Sequence, residues 1–140
     1  MGDCIFCQIV AGKMAAEVVY EAPGAMAFLD KFPSARGHTL VIPRAHAPTL
    51  LELDDAAVGD LFRAVKAVTA RIQAGLGPVG LNVGWNHGAA AGQHVFHLHV
   101  HVLPRYDGGG RGVQSVGGGA ARGDLAEVAA AIRAADARGG

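Results

Sequence analysis

Apolar and polar positions divide the chain into short blocks with two different periods. Residues 3–10 carry Ile5, Phe6 and Ile9 and read as a short helical turn or loop. Residues 18–20 (VVY) and 25–29 (AMAFL) are β-type runs on either side of Pro23-Gly24 and pair as a hairpin. Residues 38–42 (HTLVI) predict a strand stopped by Pro43, which has no N–H to give a ladder. Across 54–75, Val58, Leu61, Phe62, Val65, Val68 and Ile72 recur at spacings of three and four, which predicts an amphipathic helix. Asp54 or Asp55 caps its start, and Gly75 with Gly77-Pro78 ends it.

Residues 79–85 (VGLNVGW) predict a fourth strand, and 95–103 (VFHLHVHVL) a long fifth one ended by Pro104. Between them lies a loop of small residues, NHGAAAGQ. Residues 107–123 contain eight glycines and are expected to be a mobile loop. A second helix is predicted over 124–138, with Asp124 and Glu127 spaced as a capping box. About five strands and two main helices predict an α+β fold, a mostly antiparallel sheet covered on one face.

Length and charge narrow the class. At 140 residues the chain suits one domain, 1–140. Twelve basic and twelve acidic residues cancel, which argues against a nucleic-acid partner. No apolar run reaches the ~18–20 residues that span a bilayer, so no membrane partner is expected. The N-terminus has no basic stretch before its apolar residues, so no signal peptide is read and the cytoplasm is the expected compartment.

Histidine is where the composition departs from the ordinary. Five of the seven histidines lie between His87 and His101. On a strand, His97, His99 and His101 share one face, with Leu98, Val100 and Val102 on the other. Two chemistries suit such a trio. The imidazoles could ligate one catalytic metal, whose bound water would make a hydrolase. Alternatively, one imidazole is a nucleophile toward phosphorus and its neighbours orient it. Cys4 and Cys7 form C-x-x-C. Two cysteines cannot close a tetrahedral zinc site, so they are either half of one or two unrelated buried thiols.

The HLHVH at 97–101, with Gly92-Gln93 before it, resembles the motif of the histidine triad superfamily of nucleotidyl hydrolases and transferases. CIFCQI (4–9), AFLD (27–30), GHTLVIPRAH (37–46), LNVGWNHG (81–88) and HVLPRY (101–106) are similar to its small bacterial, zinc-containing branch. This resemblance implies a nucleophilic His99, which takes the nucleoside monophosphate covalently. It implies a phosphate contact at His101 and a His38 that supports the nucleophile's ring. Asp30 would bind ribose hydroxyls, and Asn86, Gly92 and Gln93 would lie by the phosphate or leaving group. The base would rest on Phe6 and Ile9, near Phe28. Cys4, Cys7, His46 and His97 would hold a structural Zn2+, with no catalytic metal.

The implied activity is release of AMP or GMP from phosphoramidates by a homodimer, with dinucleoside polyphosphates as a neighbouring substrate class. His94 departs from the pattern, because family members usually have Ser or Thr there. It could donate a hydrogen bond, act as an acid, or face solvent, and a binding module with weak catalysis is the rival reading. His87 has no assigned role.

Overall fold

The computed structural model describes residues 3–107 and 124–135. Its five strands are β1 (Val18–Glu21), β2 (Ala25–Leu29), β3 (Thr39–Pro43), β4 (Gly80–Gly84) and β5 (Val100–Arg105). They form one antiparallel sheet in the order β1-β2-β3-β5-β4. The helices are α1 (Ile5–Val10), α2 (Asp55–Leu76) and α3 (Leu125–Ala134). The loop expected over 107–123 lies outside the described residues apart from Asp107, and so does the end of the helix expected to reach 138.

Alternation along the strands sorts the sheet into two unlike faces. Ala25, Ala27, Leu29, Val41, Val100 and Val102 point to the face covered by α2 and α3. There they meet Leu61, Val68 and Ile72 of α2 and Val128 and Ile132 of α3 in one core. Each fully buried aliphatic of this kind stabilises the fold by roughly 1.5–3 kcal/mol. On the opposite face, Met26, Phe28, Leu40 and Ile42 form a smaller cluster with Phe6 of α1. α1 leaves the rest of that face open, and His99, His101 and Asp30 stand there.

The predicted fifth strand needs correcting at both ends. Pairing begins only at Val100, and it runs through Pro104 to Arg105. Continuing the Val41↔Val100 register would set Leu98 opposite Pro43. Arg44 N–H donates to Gly24 on the β2 side, so the missing N–H of Pro43 falls on the β5 side. Leu98 N–H turns instead to the Ala47 carbonyl at 2.8 Å, and the chain leaves the ladder. Pro104 is tolerated for a related reason. Val79 N–H donates to the Arg105 carbonyl on the β4 side, so the Pro104 nitrogen faces a stretch that β3, ending at Thr39↔Val102, does not reach. Facing survives where pairing does not: Leu98 still enters the core, and His97 and His99 still take the other face.

The end of α2 also differs from expectation. Gly75 lies within the helix, which continues to Leu76 and is capped by Gly77 in the left-handed conformation, φ 65°.

Candidate active site and metal centre

A cavity of about 820 Å³ opens on the α1 side of the sheet. Its floor comes from the strands and its walls from α1, the segment after β2 and the loop before β5. His99, His101, Asp30, Asn86, Gly92 and His94 line it, together with apolar Phe6, Ile9 and Phe28. The Phe6 ring stands edge-on to both His99 and Phe28, with centroids 5.2 and 5.5 Å away.

Backbone groups determine the tautomer of each buried imidazole. His99 Nδ1 lies 2.8 Å from the His97 carbonyl, which can only accept. The proton is therefore on Nδ1, and Nε2 keeps its lone pair. Ser34 N–H donates to His38 Nδ1 at 3.1 Å, so the His38 proton is on Nε2. That proton is donated to His101 Nδ1 at 2.9 Å, leaving His101 with Nε2–H as a donor. Burial is the main cause holding His99 below the usual imidazole range. It also pushes His38 and His101 down to about 4. All three rings are neutral near pH 7. The Asp30 carboxylate lies 3.6 Å from His38 Nε2, and because His38 is neutral this is no ion pair. Burial raises the Asp30 carboxyl above its ordinary range, against the pull of the Phe32 N–H on Oδ1 at 2.9 Å.

His38 does not touch the His99 ring through a hydrogen bond; its partner is His101. The hydrogen bond that orients the His99 ring comes from the His97 backbone instead. Nor do the three alternating imidazoles converge on one point. His97 turns away to a second cluster with Cys4, Cys7 and His46, whose ligand atoms all lie within 4.8 Å of one another. That separation removes the single-metal reading of the trio.

Within the cluster, Cys4 Sγ lies 3.4 Å and Cys7 Sγ 3.5 Å from His97 Nδ1, and Cys7 Sγ lies 3.3 Å from His46 Nδ1. A tetrahedral ion with ordinary Zn–S and Zn–N bonds sets S···N edges of about 3.5 Å, so the residues fit zinc in spacing as well as donor type. His97 Nε2–H donates to the Pro43 carbonyl at 2.9 Å, which leaves Nδ1 free to ligate.

Gly92 takes φ 101°, a conformation a residue with Cβ rarely adopts, and it closes the short turn 89–91 against Asn86. Gln93 is buried and does not line the cavity. Its side chain accepts from Gly88 N–H at 2.8 Å and donates to the carbonyls of Pro48 and Val95 at 2.7 and 3.0 Å. Its own N–H is held by the Gly88 carbonyl. Gln93 therefore braces the loop, and its side chain is not part of the cavity lining. His94 is exposed at the cavity wall, and His87 is exposed and outside it.

The family model described as HIT domain matches residues 11–108. The chain belongs to the HIT family. Protein hit of Bacillus subtilis is 43% identical over 107 residues, 76% of this chain and 74% of that one. The adenosine 5'-monophosphoramidase hnt1 of Schizosaccharomyces pombe is 42% identical over 103 residues, 74% of each chain. A Zn-bound histidine triad family protein from Mycobacterium smegmatis superposes with a TM-score of 0.84 at 35% identity, over 98% of this chain and 95% of that one.

Met14, Glu17 and Lys31 are among the residues that line the cavity of this HIT domain and lie outside the motifs read from the sequence. Glu17 lies just before β1 and Lys31 just after β2, so only the pairing of those strands brings them together.

Proposed function

We propose that this HIT-family protein is a nucleotidyl hydrolase that releases a nucleoside monophosphate from phosphoramidate-type substrates through a nucleotidyl-His99 intermediate. One observation carries this reading: the His97 carbonyl holds the His99 proton on Nδ1, which leaves Nε2 unprotonated in a cavity of nucleotide size. Nε2 attacks the α-phosphorus, the P–N bond to the leaving amine breaks, and the amine takes a proton from water at the cavity mouth. The Nδ1–H···O=C contact stabilises the cationic ring that forms. Water then attacks phosphorus, the P–Nε2 bond breaks, and the monophosphate departs.

His101 Nε2–H and the backbone N–H of His94, which has no partner among the described residues, are donors for the equatorial phosphate oxygens. Asp30 receives the ribose hydroxyls, Asn86 and Gly92 flank the phosphate, and the base lies on Phe6, Ile9 and Phe28. The name of the Schizosaccharomyces pombe relative supports the choice of leaving group.

Cys4, Cys7, His46 and His97 would hold Zn2+, and its contribution is structural, tying α1 to the segments that follow β3 and precede β5. β4 is an edge strand, and its outer ladder is where a second copy would pair to give a homodimer. Sedimentation at micromolar concentration tests that, and a monomer sinks it.

Rapid-quench intact-mass measurement with AMP and GMP phosphoramidates and a dinucleoside polyphosphate tests the chemistry. The wild type gains the mass of one nucleotidyl group, most rapidly from the phosphoramidates. Turnover with no adduct overturns the reading, and faster reaction of the dinucleotide corrects its substrate class.

A further inference from the structure

Besides Asp30, Asn86 and the histidines, the cavity lining carries two side chains of opposite charge, Glu17 and Lys31. Glu17 is half-buried and Lys31 exposed. Lys31 is the one lysine or arginine among the described residues of the lining. The Glu17 carbonyl accepts Leu29 N–H at 3.0 Å, which sets Glu17 beside the end of β2, two residues before Lys31. The same lining holds Met14, Ile9 and Phe28. Despite this proximity they do not pair. Among the described residues, neither side chain has a hydrogen bond or an ion pair. The other carboxylate of the lining, Asp30, is held by Phe32 N–H. A ligand in the cavity therefore has one unused acceptor and one unused donor available in the lining.

We propose that Glu17 and Lys31 read the edge of a purine base and select guanine. The inference rests on the nucleotide reading of the cavity given above. Guanine offers N1–H and the 2-amino group as adjacent donors to the Glu17 carboxylate, and O6 as an acceptor to the Lys31 ammonium. Adenine offers the reverse, an acceptor at N1 and a donor at N6, so both contacts turn unfavourable. A bidentate carboxylate contact discriminates well between bases, whereas the apolar platform serves any purine equally.

The test is equilibrium binding of GMP, IMP and AMP to the wild type, Glu17→Gln and Lys31→Met. In the wild type GMP binds about tenfold more tightly than AMP. IMP, which keeps N1–H and O6 but lacks the 2-amino group, falls between them. Each substitution shrinks the GMP-to-AMP ratio, and Glu17→Gln also removes most of the difference between GMP and IMP. A ratio near one in the wild type, or a ratio that both substitutions leave unchanged, overturns base selection while the nucleotide site stands. Failure of all three nucleotides to bind overturns both readings.

Discussion

The backbone carbonyl of His97 accepts the Nδ1 proton of His99 at 2.8 Å, while the His97 ring turns its own Nδ1 toward Cys4 and Cys7. One residue thus orients the candidate nucleophile with its main chain and serves the candidate metal cluster with its side chain. Placement of His99 Nε2 depends on where the cluster holds residue 97.

Loss of a sulfur ligand therefore has consequences at two sites. Cys7→Ser is expected to lower zinc content from one ion per chain toward none. It should also destabilise the fold by about 2 kcal/mol or more, roughly 5 °C or more in Tm. Turnover should fall too, although residue 7 is not among the cavity-lining residues. Elemental analysis, a melting curve and a phosphoramidate assay on one preparation check this. A variant that keeps its stability without metal contradicts the structural role.

His99→Ala should still bind a nucleoside monophosphate, because the residues proposed to hold base, ribose and phosphate remain. Its turnover should drop by roughly four orders of magnitude or more, as when other nucleophiles are removed. Single-turnover kinetics and product-binding titration separate the two effects. Near-normal turnover rules His99 out as the nucleophile.

The His38–His101 pair makes a prediction about pH. Burial holds both rings at about 4 in the folded state, below the ordinary value of 6.5. On acidification the unfolded chain binds protons first. The stability from these rings is thus complete above about pH 6.5 and is lost as pH falls from there toward 4. Imidazole NMR should find both rings neutral at about pH 5.5, and Tm should decline across the same window. Either ring titrating near 6.5 in the folded protein contradicts the geometry.

Gly75 tests the packing of α2 on α3. A Cβ there would lie 2.6 Å from the Ala131 carbonyl oxygen and 3.3 Å from Ala135 Cβ. Backbone cannot yield as a side-chain tip can. Gly75→Ala should therefore destabilise by about 1–3 kcal/mol, despite the ~1 kcal/mol that alanine gains in helix propensity. Denaturant unfolding measures the net sign, and a stabilised variant means the two helices separate freely.

The strands, both main helices and the alternation that sends Leu98 to the core and His99 to the other face are local properties, and period and turn chemistry made them legible in the sequence. The family motif likewise brought the histidines and cysteines into view, because its residues lie close together in the chain or at familiar spacings. Tertiary structure alone decided the partners. Strand register brought His38 against His101 and not His99, and Pro43 stopped the ladder and freed its carbonyl for His97. A neighbouring helix explains Gly75, which reads as a helix end in sequence. Glu17 and Lys31 meet at one cavity wall only because β1 and β2 pair. Hydrophobic period records which way a side chain points, but what it meets there depends on chain brought in from far away in the sequence.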